Sequence, residues 1–430
     1  MVRVTDMTHG RPIRLILLFS LPLMLGSVFQ QLYTIVDTII IGRGVGMQAL
    51  ASIGAADWIN WLVLWGLQGF TQGFAILAAQ EFGAGAYDRL RRVLAMIVKL
   101  SCWFGIAVTI ISLLLVRPLL TLLHTDPAVF GGAQTYLYVQ FGGSLIIIAY
   151  NMAAAVLRCL GDSRTPLFAI IAASFANIAL DLLFVMGFGW GIFGASFATV
   201  LAQLIAFLLC LRSLRRLPFV QLTKADWKTD PAILLHLSRL GIPTGLQMSM
   251  ITLGGMVLQS VLNGFGVVFV AGYTAANKLY GILESASVAF GYAMTAYMGQ
   301  NRGARNAARI DAGIRAVLVL SAEFTAAIVT AMLVAGKPLL GLFLSTEEAG
   351  AAEALAVAYQ YLMVLMAFLF ALFMLQAYRS SLQGLGEMTV PTLSGFAEML
   401  MRMGAALVLP TFIGQSGVFF AEGAAWVCAA

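Results

Sequence analysis

Charged residues are scarce in this sequence: Asp, Glu, Lys and Arg make up 10% of its 430 residues, where soluble domains carry about 25%. Histidine and cysteine are scarcer still, at three and four copies. His9, His124 and His236 stand far apart, and Cys102, Cys159, Cys210 and Cys428 are scattered in apolar stretches without CxxC spacing. That placement predicts neither a disulfide framework nor a metal cluster. Enzyme signatures are missing too. Gly336-Lys337-Pro338 does not continue into a phosphate-binding loop, and HExxH and GxSxG do not occur, so neither ATP as a driver nor a hydrolase is expected. The net charge of +6 comes without a soluble basic module, and nucleic acid is not an expected partner.

What the chain has is apolar length. Hydrophobic residues make up 61% of it, and its mean hydropathy is +0.93. A bilayer crossing needs roughly 20 apolar residues, which leaves room for about twelve. The pattern places them at about 13–42, 50–80, 93–116, 130–157, 166–187, 191–211, 233–264, 268–299, 310–335, 354–382, 390–412 and from 417 to the end. The expected fold class is an all-α polytopic membrane protein. The first apolar segment, Leu15 to Ile41, exceeds a signal-peptide core and carries Asp37, which predicts an uncleaved span. Only thirteen residues follow Gly417, so the twelfth span is expected to be truncated.

The spans fall into two halves around the polar stretch Arg212 to Asp230. The expected division is an N-terminal lobe over 1–212, a linker over 213–232 and a C-terminal lobe over 233–430, with six helices in each lobe. The halves repeat. Gln80 and Gly83 match Gln300 and Gly303 at an offset of 220, as Arg117-Pro118 matches Lys337-Pro338. Pro22 matches Pro243 at 221, and Leu160-Gly161 through Pro166 matches Leu385-Gly386 through Pro391 at 225. Six spans per unit keep both copies in one orientation, and a substrate path at their interface is the expected architecture. Alternate loops hold 19 of the 25 Lys and Arg residues, and the opposite loops hold only Arg43, Arg117 and Lys337. The N-terminus and the linker are therefore expected on the cytoplasmic side of a plasma membrane.

Polar residues inside these spans carry the functional signal. Thr165 to Gln203 forms a hydrophobic hairpin. Its first arm presents Asn177 and Asp181 at i,i+4, and its second presents Thr199 at a level with them. A carboxylate at that depth costs roughly 2.5–3.5 kcal/mol, so it is expected to serve a partner, an ion or a proton. Asp37 lies at a similar depth in the first span. Alone it reads equally as an aspartate wetted from outside, but three spans offering oxygen ligands at one level suit a hard cation or a shared proton. Pro22 and Pro243 each remove a backbone hydrogen bond and mark a hinge or a static kink. In the second half Lys278, Glu284 and Gln247 are candidate cavity residues, while Glu398 and Arg402 stand at i,i+4 as an internal ion pair.

These residues, with the Gln-x-x-Gly-Ala end of span two, its Gln300–Gly303 counterpart in span eight, and Leu157 to Pro166 after span four, resemble the multidrug and toxic compound extrusion (MATE) family over nearly the whole chain. The Asn177–Asp181 and Gly194–Thr199 stretches carry the resemblance most specifically. The resemblance to the DinF-type branch implies an N-lobe cation site of Asp37, Asn177, Asp181 and Thr199, which Tyr136 joins by position and depth. It further implies a monomeric, cofactor-free exporter that alternates access and exchanges protons or sodium for amphipathic organic cations. Lys278 departs from that pattern, since a cavity lysine disfavours cationic substrates. A lipid-linked oligosaccharide flippase of the same superfamily is the alternative. A membrane-embedded enzyme would have to rest on His124 and Asp126, two residues apart in a loop.

Overall fold

The computed structural model describes residues 4–343 and 350–430; Arg3, one of the loop cations counted above, lies outside them. Helices α1 (Pro12–Gly44), α2 (Met47–Gly83) and α3 (Tyr87–Leu122) open the chain. They are followed by α4 (Pro127–Gly142), α5 (Ser144–Cys159), α6 (Arg164–Asp181) and α7 (Gly191–Arg215). The second half holds α8 (Pro231–Leu262), α9 (Val267–Gly303), α10 (Ala307–Gly341), α11 (Ala351–Gly384), α12 (Thr389–Ile413) and α13 (Phe420–Ala429). Among the described residues, nine helices are long and apolar enough to cross a membrane, and α4 with α5 makes a tenth, bent span. With the 37-residue α9 and the ten-residue α13, the order is that of the twelve expected segments.

Two irregularities depart from the expected continuous spans. The fourth span bends by 50° between α4 and α5. There Gly143 lies so close to α7 that a Cβ on it would stand 2.5 Å from a methyl of Val200. Directly after Asp181, residues Leu182–Gly187 wind as a π-helix, a form that recurs at functional sites because it widens the backbone locally.

The matched segments of the two halves meet at the arginine-rich end. A Cβ at Gly83 would fall 1.9 Å from the Gln300 carbonyl oxygen, and one at Gly303 would fall 1.8 Å from that of Gln80. Only glycine lets α2 and α9 cross there. The two glutamines exchange bonds in the same symmetric way: Gln80 donates to the Gly384 carbonyl at 3.1 Å and Gln300 to the Cys159 carbonyl at 3.0 Å. Gln300 also accepts from the Met7 amide at 2.8 Å, while Thr5 donates to the Gly161 carbonyl at 3.1 Å. The N-terminal segment thus straps this end shut. Deeper in, Gly69 and Gly73 of α2 press on Thr244, Gly245 and Gly241 of α8, the close approach that small residues permit between membrane helices.

Packing crosses the division seen in the sequence. Ile16 and Phe19 of α1 share one core with α9, α10 and α11. Ile233, Leu237 and Leu240 of α8 share another with α2, α3 and α5. The linker carries two short 3₁₀ turns, Pro218–Val220 and Lys224–Trp227, before Asp230 caps α8.

Candidate functional site

Asp37 reaches the site from α1, Asn177 and Asp181 from α6, and Thr199 from α7, three helices that pack on one another. The i,i+4 spacing on α6 aims both of its side chains inward: Asn177 is 1% and Asp181 0% exposed. The carboxyl groups of Asp37 and Asp181 stand beside each other. Among the described residues, Asp37 Oδ1, both oxygens of Asp181 and both polar atoms of the Asn177 amide have no hydrogen-bond partner. Nearly every buried polar atom in a folded protein is paired, and an unpaired one costs about 1–3 kcal/mol. Five in one cluster need something to bind. A hard monovalent cation suits the four oxygens among them, or a shared proton the two carboxyls, while the Asn177 Nδ2 is a donor that needs an acceptor such as a carboxylate or a water.

Thr199 donates its hydroxyl to the Ala195 carbonyl at 3.2 Å, which leaves its lone pairs free to face a cation. It lines a cavity with Asn177, Gln203, Ser174, Tyr150, Gln30 and Tyr33; the cavity measures about 40 Å³. A water needs at least ~10–15 Å³ on this measure, so the space suits an ion with a few waters rather than a drug-sized molecule. Tyr33 stands beside both Asp37 and Asp181.

Tyr136 of α4 lies at the edge of this group. It accepts a hydrogen bond from Asn60 Nδ2 at 3.2 Å and stands near Asp57 and Asp37. Asp57 of α2 is the residue that sequence reasoning passed over. It faces Asp37, and its only linear signal was an aspartate one turn before Asn60 in an otherwise apolar stretch.

The second-half candidates are not brought together with this site. Lys278 is exposed on α9. Gln247 is fully buried, accepts from Gln383 Nε2 at 2.8 Å and packs under Gly395, so it joins α8 to α11 and α12. Glu284 lies half-buried near Tyr280, Arg402 and Glu422. Arg402 does pair with Glu398, at 2.8 Å, and also with Glu422 at 2.9 Å. Pro22 and Pro243 sit inside unbroken helices α1 and α8. His124 and Asp126 belong to a turn: His124 takes a φ of 51°, and Asp126 caps α4 by accepting from the Ala128 amide at 2.7 Å.

A family model described as MatE matches residues 22–183 and 243–408. The chain is similar to the probable multidrug resistance protein YpnP of Bacillus subtilis (strain 168), at 33% identity over 355 residues, covering 81% of this chain and 78% of that protein. It is similar to the probable multidrug resistance protein NorM of Thermotoga maritima, at 25% identity over 338 residues, covering 76% and 72%. Among solved structures it superposes on a MATE protein crystallised in complex with MaL6 with a TM-score of 0.91, at 23% identity, over 100% of this chain and 96% of that one. A MOP superfamily transporter from Pyrococcus furiosus, described as having a binding pocket of reversed polarity, gives a TM-score of 0.91 at 24% identity, over 99% and 95%. At those identities the superpositions speak to the fold alone.

Proposed function

The chain belongs to the MatE family of multi-pass membrane transporters, and from that premise we propose that it is a multidrug exporter driven by the inward movement of protons or sodium. The observation that carries this reading is the buried group of five unpartnered polar atoms on Asp37, Asn177 and Asp181. Thr199 adds a neutral oxygen ligand, and Tyr136 closes the group from α4. The substrates are amphipathic organic cations. The protein acts as a monomer in the plasma membrane, with its N-terminus and linker in the cytoplasm, and uses no cofactor.

An ion drives transport only if it binds one conformer better than another. Here the difference arises at Asp37. When a cation binds between Asp37 and Asp181 and offsets their repulsion, α1 is drawn against α6, bends at Pro22 and narrows the space on its inner side, and substrate leaves. Without the cation the two carboxylates repel and α1 relaxes. Uptake of a fluorescent organic cation into everted membrane vesicles, which is the export direction, under an outwardly directed pH gradient and separately under an outwardly directed sodium gradient, tests the reading. One of the two gradients should accelerate export at least about tenfold, and dissipating it should abolish the effect. Equal rates with and without both gradients would refute ion coupling.

A further inference from the structure

The second half carries an arginine where the first half has Asn177. The offset of 225 that pairs Pro166 of α6 with Pro391 of α12 also pairs Asn177 with Arg402. Pro166 and Pro391 each stand two residues inside their helix, so Asn177 and Arg402 occupy the same turn and the same helical face.

Their surroundings differ in one respect. Around Asn177 the described residues supply carboxylates and no cation, and the polar atoms stay unpartnered. Around Arg402 the carboxylates are paired with guanidinium groups, while Nε of Arg402 and of Arg379 has no partner among the described residues. Arg402, 7% exposed, donates to Glu398 at 2.8 Å, to Glu422 of α13 at 2.9 Å and to the Ile251 carbonyl of α8 at 3.4 Å. Arg379 of α11 holds the other Glu398 oxygen at 2.7 Å and the Ser394 hydroxyl at 2.9 Å. One guanidinium group therefore ties α8, α12 and α13 together, and α11 joins through Glu398. Guanidinium stays protonated at any accessible pH, so this tie neither titrates nor exchanges.

We propose that Arg402 is a built-in cation, standing in the second half where the first half takes its coupling ion. The second half is thereby fixed in its cation-bound packing, and only the first half changes shape with the ion. The inference rests on the cation-site reading of Asp37, Asn177 and Asp181. It assigns Arg402 a positioning role and requires the repeat to work asymmetrically. Ionisable groups near the two positions are Glu284, Tyr280, Glu398 and Glu422 for Arg402, and Asp37, Asp181, Asp57 and Tyr33 for Asn177.

The two halves permit reciprocal tests on the full-length purified protein, read by thermal unfolding across sodium concentration and pH. Wild type should show a cation-dependent rise in Tm that Asp37→Asn removes; without it the cation-site reading fails, and this inference falls with it. Asn177→Arg places a guanidinium beside Asp37 and Asp181, with the adjoining cavity to receive it. This variant should reach the cation-saturated Tm without added ion, lose the dependence on sodium and pH, and lose gradient-driven export at least tenfold. Conversely, Arg402→Asn in an Asp37→Asn background should gain a cation-dependent rise in Tm that Asp37→Asn alone lacks, and Arg402→Lys in the same background should not. If Asn177→Arg keeps the wild-type ion response, the inference is wrong. A folded Arg402→Asn, Asp37→Asn protein with no cation response overturns it equally. Should that double variant fail to fold, the Asn177→Arg result decides alone.

Discussion

Asp57 brings a third carboxylate to the group, from α2 and on the side of Asp37. It has no place among the orphaned atoms, so under the proposed cation site its contribution is the field it exerts on the coupling ion. A unit charge several ångströms away at an effective dielectric near 20 contributes about 1–2 kcal/mol. Asp57→Asn should therefore raise the half-saturating concentration of the coupling ion roughly five- to thirtyfold and leave maximal export nearly unchanged. An unchanged ion dependence in transport titrations would remove Asp57 from the site. That Asp37, Asn177, Asp181 and Thr199 belong to three neighbouring helices was legible because polar residues stand out at mid-depth in a span and helical spacing gives their face. Asp57 was not, because its meaning comes from which helix packs beside α1, and no local pattern encodes that. Gln247 misled for the converse reason: a buried glutamine can line a cavity or bridge helices, and its bond to Gln383 decides the matter.

At the scale of elements, the long helices follow from apolar length alone, whereas the α4–α5 bend lies where Gly143 meets Val200 of α7, a contact the linear pattern does not contain, and nothing in that pattern marks the π-helix after Asp181. Gly69 and Gly73 of α2 meet α8 through a close approach that the linear pattern does not assign to that partner. A Cβ at Gly73 would lie 2.6 Å from the Gly241 Cα, and backbone cannot yield as a side chain can. Gly73→Leu should cost about 2–3 kcal/mol and lower Tm, whereas the same change at Gly131, where nothing lies within 4 Å, should not. Equal Tm values would contradict the packing account. The linker offers a pH test outside the membrane. Burial works to raise the Asp226 carboxyl, but hydrogen bonds from the Thr223 hydroxyl and amide, both 2.7 Å, outweigh it and hold the group below the usual carboxylate value. A depressed carboxyl stabilises above its unfolded pKa and loses that contribution as pH falls through the folded value. The linker, which Lys99 also anchors through the Thr229 hydroxyl at 2.8 Å, should thus keep its docking near neutrality and loosen only in acid well below pH 4. Hydrogen exchange over residues 221–230 should show protection flat from pH 5 to 8; a change within that window would speak against the Asp226 lock.

For the whole molecule, the internal repeat announced that two six-helix units meet, and the structure adds how: symmetric glutamines and glycines seal the arginine-rich end, with residues 5–10 strapped across it. The proposed export cycle requires that seal to open. Gln300→Leu strands the Met7 amide and the Cys159 carbonyl, at about 1–3 kcal/mol each. In a background retaining Cys159 as the sole cysteine, now 1% exposed, labelling by a water-soluble maleimide should rise at least about tenfold; no increase would show that the glutamine does not hold the end closed. The central claim is that Asp37 and Asp181 together take the ion that drives export. Its most direct measurement is substrate-dependent uptake of protons or sodium into proteoliposomes, compared among wild type, Asp37→Asn and Asp181→Asn. The account predicts ion uptake coupled to export in wild type and its loss by at least about tenfold in each variant, with both proteins folded and still binding substrate. Coupled uptake at wild-type rates in both variants would contradict it.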